Sequence, residues 1–412
     1  MTGTAAHPVA GRLFSRPATA AACVAFVLIG ALQALYGPAV PAVRGEYGLS
    51  PAAAGLALSL HFTGGVAGVL GFDVIRARLS SRALLAVSYV LMAVGAAGFA
   101  LAPGWPLALC AAFLGGLGFG GVDYGLNQLF AVGFGERSPA MLNILNGHFG
   151  IGAVLAPAVL AALGPDRYPY AFAGCALLSV VLIAGTRGVR DEAAPAPGPR
   201  EVSRVARLSP VLLGFVLLYV LNVAVEAGVG GWEPTHLETV GYATATAATA
   251  TSAYWLMMTV GRFLVVPLTL RYAPERILAV CGAGMTACLL LALVPGAAPV
   301  AYAGVGLFIA PVFPTGLPWL HRALPTARHA GAWVIAASMI GGVAAPPLLG
   351  LGIEVSGIGA VPVLLTVLSA ASLVVTVWLA RRSGVRRSDG PAVDEPVSGS
   401  AGRERSPGRA VR

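Results

Sequence analysis

Twelve apolar runs, each close to twenty residues long, recur along this chain. They begin near Ala18, Pro51, Arg82, Trp105, Ser138, Tyr168, Ser209, Ala243, Arg276, Ala298, Thr326 and Ser356. The hydrocarbon core of a bilayer takes about 20 residues of helix. Lipid offers the backbone no hydrogen-bond partners, so each run must satisfy its own N–H and C=O groups and is expected to be helical. Charged residues make up only 10% of the chain, against roughly 25% in a soluble domain. Such a chain cannot cover a water-exposed surface, and the lipid bilayer must solvate most of it. The expected fold class is therefore an all-α polytopic membrane protein, with twelve transmembrane helices as two six-helix bundles. The first run is long enough to span and reads as a retained helix rather than a cleaved signal.

The net charge is +9, carried by arginine with no lysine. A nucleic-acid surface is excluded because the arginines sit in short loops between apolar runs. With the N-terminus inside, Arg12, Arg16, Arg76, Arg78, Arg82, Arg137, Arg187, Arg190, Arg271, Arg276, Arg322 and Arg328 fall on the cytoplasmic side, and only Arg44 and Arg167 fall outside. That asymmetry predicts both termini in the cytoplasm. The organisation read from it is a cytoplasmic N-terminus (1–17), an N-terminal six-helix bundle (18–187), a Pro-rich, Arg-rich linker (188–208), a C-terminal bundle (209–380) and a polar, disordered tail (381–412). Gly152-Ala-Val-Leu-Ala-Pro157 is echoed by Gly341-Gly-Val-Ala-Ala-Pro346 at the matching place in the second half, the pattern of a parallel internal repeat.

Polar residues inside the apolar runs carry the chemistry. Asp123 lies well inside the fourth span, where a charged Asp costs about 2.5–3.5 kcal/mol on insertion scales. It must be paired, hydrated or protonated for part of a cycle. Asn127 follows four residues on, on the same helix face. Glu226 in the seventh span, with Asn222 a turn earlier, is the matching acid of the second half. Asn143 and Asn146, with His148 nearby, put amides that both donate and accept on the fifth span. Trp255 is the ring best placed to stack on a ligand. Asp123, Asn127, Asn143, Asn146, Glu226 and Trp255 are expected to converge on one cavity near the midplane. Asp73, Arg76 and Arg262 read as gating or interhelix charges near cytoplasmic helix ends. Glu233 reads as interfacial, and Trp232, Trp319, Trp333 and Trp378 read as belt residues at the membrane–water boundary. His61 reads as a packing histidine. Cys23, Cys110, Cys175, Cys281 and Cys288 all lie within apolar runs without metal spacing and read as small packing residues.

Four stretches resemble the fucose–galactose–glucose:proton symporter branch of the major facilitator superfamily. They are Gly118-Phe-Gly-Gly-Val-Asp123-Tyr-Gly-Leu-Asn127, Leu142-Asn-Ile-Leu-Asn-Gly-His-Phe-Gly-Ile-Gly-Ala153, Tyr219 through Glu226 to Trp232, and Trp255 with Gly261-Arg262-Phe263. The resemblance implies the major facilitator fold, in which two such bundles face a central cavity. It also implies proton-coupled uptake of a sugar or other small polar solute, with Asp123 and Glu226 as proton-coupling acids and Asn127, Asn143, Asn146, His148, Asn222 and Trp255 at the solute. Fucose permease carries an acid in its first span; here that span offers only Gln33 and Tyr36. The charge pattern after the second span survives as Asp73 with Arg76, Arg78 and Arg82, without the signature glycine.

Proton-antiport efflux of a drug or secondary metabolite is the alternative, since Gly152–Pro157 partly resembles an antiporter signature. An enzyme is disfavoured, because no nucleophile–base pair or metal-spacing cluster is present. No cofactor is expected. The expected partners are the solute, protons and lipid, and the expected state is a monomer.

Overall fold

The computed structural model describes residues 13–76, 78–134, 137–190, 209–324 and 330–388. Residues 1–12, 191–208 and 389–412, which hold most of the expected N-terminal segment, linker and tail, lie outside them. The helices are α1 (Arg16–Tyr47), α2 (Pro51–Ile75), α3 (Ser81–Ala100), α4 (Trp105–Gly133), α5 (Ser138–Leu163), α6 (Tyr168–Gly185), α7 (Pro210–Thr239), α8 (Thr244–Thr269), α9 (Pro274–Leu291), α10 (Ala298–Ile309), α11 (Val312–Ala323), α12 (Ala330–Ser356) and α13 (Val361–Ser388).

Local chemistry sets the helix starts. Ser15, Ser50 and Ser80 cap α1, α2 and α3, each hydroxyl accepting from the backbone N–H three residues on, at 3.3, 3.3 and 3.1 Å. Serine is favoured there because it satisfies one of the orphan donors of the first turn. Proline in the first turn of α2, α4, α7 and α9 has no N–H to lose. The tenth span is split into α10 and α11 at Ala310–Pro311, where proline removes an intrahelical bond and clashes with the preceding turn. The last span starts at Val361, later than the expected Ser356. Ser356 instead ends α12, and Gly357, at φ 82°, turns the chain.

Among the described residues, eleven spans meet the length and hydropathy of a membrane crossing. The twelfth, α8, is as long as the others but begins Thr-Ala-Thr-Ala-Ala-Thr-Ala-Thr-Ser and carries Arg262. Its low hydropathy reflects the polar seam that it lines.

α1 to α6 pack around Phe26, Ile29, Leu32, Phe130 and Phe172. α7 to α13 pack around Val225, Tyr254, Tyr302 and Leu365, with Phe215, Tyr219 and Trp319 farther along. The sequence echo has a structural cause. A Cβ on Gly152 of α5 would overlap the Val27 carbonyl oxygen of α1, and one on Gly341 of α12 would overlap the Val220 carbonyl of α7. Each repeat thus uses its glycine to cross α5 over α1, or α12 over α7, backbone to backbone. Small residues serve this purpose in membranes, where packing replaces the hydrophobic force.

The halves meet along three seams, α2–α12, α5–α8 and α1–α7. At the end opposite the chain termini they interlock. Gly37 of α1 lies against the Gly230 carbonyl of α7, so a Cβ there would clash. Ala52 N at the start of α2 donates to Glu354 Oε1 of α12 at 3.0 Å. The Ser59 hydroxyl donates to the Val343 carbonyl, whose helical donor is missing because Pro347 has no N–H. A cavity of about 20 Å³ between Leu58, Gly37 and Trp232 lies within that interlock, and its walls are mostly apolar.

Two belt assignments are corrected. Trp232 is buried, donating from Nε1 to the Pro346 carbonyl at 3.1 Å. Trp319 is buried edge-on to Phe215 at 4.9 Å. Both lie farther from their helix ends than the apolar runs suggested, because α7 continues to Thr239 and α11 to Ala323. His61 packs among Tyr36, Phe62 and Phe119, as expected of a packing histidine. All five cysteines are free thiols.

Candidate functional site

α4 and α5 hold the first part of the site. Asp123 and Asn127 lie one turn apart on α4, both half-buried. Asn127 Nδ2 donates to Asp123 Oδ1 at 3.0 Å and to the Asp123 carbonyl at 3.0 Å. Asn146 of α5 reaches across, its Nδ2 donating to Asn127 Oδ1 at 3.0 Å and to the Leu142 carbonyl at 2.9 Å. The result is a hydrogen-bonded chain, Asn146 to Asn127 to Asp123, that ends on a carboxylate. A hydrogen bond to a charged acceptor contributes about 1.5–3 kcal/mol, several times the roughly 0.6 kcal/mol average between membrane helices. Asp123 keeps one oxygen for other partners, and Asn146 is exposed.

The chain faces the other half. Gly150 of α5 lies against Thr259 of α8. Asn146 is one turn before Gly150 and so shares its face. α8 runs antiparallel to α5, so the turn after Thr259 brings Arg262 to the same level. Arg262 lies within electrostatic reach of Glu226 on α7 and of Tyr254 on α8, and its Nη2 touches Met258 Sδ at 3.7 Å. A carboxylate–amide chain on the N-terminal half therefore stands opposite a carboxylate–guanidinium set on the C-terminal half. Beyond them, on the side away from the termini, Trp255 of α8 closes the seam. It is buried against Phe149 of α5 (centroids 6.3 Å apart) and beside Gly230.

Of the residues expected to converge, Asp123, Asn127 and Asn146 are joined directly, and Glu226 lies within electrostatic reach of Arg262. Trp255 lies at the same seam with its Nε1–H unpartnered among the described residues. Asn222 is buried one turn from Glu226, its Oδ1 likewise unpartnered. His148 turns to its own helix, Nδ1 lying 2.7 Å from the Ile144 carbonyl, and does not join the chain. Arg262, expected as a gating or interhelix charge, lies two turns before the end of α8 at Thr269 and within electrostatic reach of Glu226. Arg76 caps α2 and is exposed. The side chains of Asp73 and Asn143 lie outside the described residues.

Sequence reasoning missed Glu233, expected at the interface and found fully buried. It also missed Tyr254 and the hydroxyl-rich face of α8, whose signal was the Thr/Ser run from Thr244 to Ser252.

No curated protein matches the chain. Its fold is shared with solved transporters. The xylose transporter XylE from E. coli, in a partially occluded inward-open conformation, is 14% identical over 87% of this chain and 97% of that one, with a TM-score of 0.70. The nucleoside transporter NupG is 14% identical over 89% and 98%, with a TM-score of 0.70. The E. coli fucose:proton symporter FucP, in a single-residue variant, is 18% identical over 88% and 98%, with a TM-score of 0.59. A family model described as Major Facilitator Superfamily matches residues 22–332. With that match over most of its length and twelve spans in this arrangement, the chain belongs to the Major Facilitator Superfamily and is a multi-pass membrane transporter.

Proposed function

We propose that this transporter takes up a sugar or another small polar solute together with protons, by alternating access between its two halves. The observation that carries the reading is the Asp123–Asn127–Asn146 chain set across the α5–α8 seam from Glu226 and Arg262. Amides supply donors and acceptors to hydroxyl-bearing solutes, and acids inside a membrane mark proton relays and solute paths. Asp123 is the coupling acid and Glu226 its partner. Asn127, Asn143, Asn146, His148, Asn222 and Trp255 line the solute's path, and Asp73, Arg76 and Arg262 serve as gating charges. Residues 18–187 and 209–380 form the two rocking bundles, joined by 188–208. The protein works as a monomer in the plasma membrane, with both termini cytoplasmic. The solved relatives support the solute class, since a fucose:proton symporter, a xylose transporter and a nucleoside transporter share the fold.

The test is a solute screen in proteoliposomes with an imposed pH gradient. Asp123→Asn keeps shape and hydrogen bonding but cannot titrate. Accumulation against a gradient is expected to vanish in Asp123→Asn while downhill exchange of labelled solute survives. If Glu226→Gln alone abolishes accumulation, the coupling acid is on α7. If both variants still accumulate solute, neither acid carries the proton. Export driven by the pH gradient would replace uptake with antiport.

A further inference from the structure

Glu233 is the deepest charge-bearing side chain of the C-terminal half, and nothing in the transport reading uses it. It sits on α7 with 0% exposure, and neither carboxyl oxygen has a hydrogen-bond partner among the described residues. The Thr251 hydroxyl of α8 stands alongside, near enough to act on the carboxyl but outside hydrogen-bonding geometry. Tyr254 of α8 and Tyr302 of α10 are its other polar neighbours. The Tyr302 hydroxyl is already taken up with His236 Nδ1 at 3.0 Å. On α7 itself, Glu226 lies two turns back and His236 one turn on. Arg262 acts on Glu226 and Tyr254, and no cation acts on Glu233 among the described residues. One turn either side of it on α7, Val229 and Leu237 are apolar and buried.

Location gives this carboxyl a role. Glu233 follows Trp232, which is bonded to the Pro346 carbonyl, and Gly230 and Gly231, which close against Gly37 and Leu58 of the opposite half. These are the parts that interlock at the end away from the termini. An ionised carboxylate sealed there, without a cation or a donor, is strongly disfavoured. We propose that Glu233 is a second proton-binding site, distinct from Asp123, which takes a proton from water at the end opposite the termini when that end closes and returns it when that end opens. The proton moves from a hydronium ion to one Glu233 oxygen on closing, leaving water, and the reverse transfer regenerates the carboxylate. Closing this gate and binding the proton are one event, so raising the pH favours the open gate.

The inference does not depend on the solute or on Asp123, and its test contains neither as a readout. In a cysteine-free background, spin labels at Leu101→Cys and Val355→Cys, both highly exposed at that end, report the separation of the halves in lipid nanodiscs without solute. The expected result is a pH-dependent shift from short to long distances as pH rises. That shift is lost in Glu233→Gln, which stays closed. A shift retained in Glu233→Gln, or a wild type whose distances ignore pH, overturns the proposal. Residue-resolved modification of the wild type by a hydrophobic carbodiimide, which attacks neutral carboxyls, supplies a reading should the Gln variant not fold. Glu233 is expected among the modified residues at neutral pH, and its absence from them overturns the proposal.

Discussion

At the scale of single residues, the site is built by short-range helix geometry and one reach between helices. Asp123 and Asn127 meet because four residues is one turn, and Asn146 meets Asn127 because α4 and α5 are adjacent. The first contact could be foreseen from spacing and the second could not. Glu226 shows the limit more sharply. Sequence marks it as an intramembrane acid and reads Arg262 as an interhelix charge, but spacing alone does not say that the two act on each other from different helices. The pair makes a prediction. Arg262→Gln removes the cation nearest Glu226 while leaving Asp123 and its amides in place. Solute affinity in proteoliposomes is expected to fall about tenfold, which is about 1.4 kcal/mol. Glu226→Gln is expected to lose a similar amount, and the double variant no more than either alone, as befits coupled residues. Fully additive losses would mean that the two groups act separately.

At the scale of helices, most of the architecture was legible because each element carries its own signal: apolar length, a serine cap, a first-turn proline. The exceptions have physical causes. α8 has the length without the hydropathy, because one face meets the other half rather than lipid. The tenth span breaks at Pro311, an interruption that run length alone hides. Trp232 and Glu233 looked interfacial because Pro234 reads as a helix end, whereas α7 carries the proline internally and continues to Thr239. The repeat was visible as six similar residues, but its purpose emerges only from the crossings at Gly152 and Gly341. Gly152→Val and Gly341→Val each force a side chain onto a neighbouring backbone carbonyl. Overpacking of this kind costs about 1–3 kcal/mol, so both variants are expected to show lower thermal midpoints and less monodisperse protein in detergent. Gly147→Ala, with open space around its Cβ position, is expected to match the wild type. A tolerant Gly152→Val would mean that α1 and α5 are not locked at this crossing.

At the scale of the whole molecule, the contacts between halves are unevenly distributed, and that asymmetry defines its state. Glu354 on Ala52 N, Ser59 on the Val343 carbonyl and the Gly37–Gly230 approach all lie at the end away from the termini. Asn146 and Arg262, toward the terminal end, are exposed. Among the described residues the polar contacts between the halves thus gather at the end away from the termini, and the closure there depends on few of them. Ser59 is the most informative of them. Pro347 strips the Val343 carbonyl of its helical donor, so Ser59 supplies the hydrogen bond that replaces it in the closed state. Ser59→Ala leaves that carbonyl unsatisfied only while the gate is shut, since opening admits water to it. An unsatisfied buried acceptor costs about 1–3 kcal/mol, so the closed-to-open ratio is expected to fall by about tenfold or more. The ratio can be read from the labelling rate of a single cysteine at Leu58, buried in the closed seam, by a membrane-impermeant maleimide applied from the side opposite the termini. The rate is expected to rise about tenfold in Ser59→Ala, with transport slowed at the step that needs this end closed. An unchanged rate would show that the gate is held by the apolar interlock of Gly37, Leu58 and Trp232 alone.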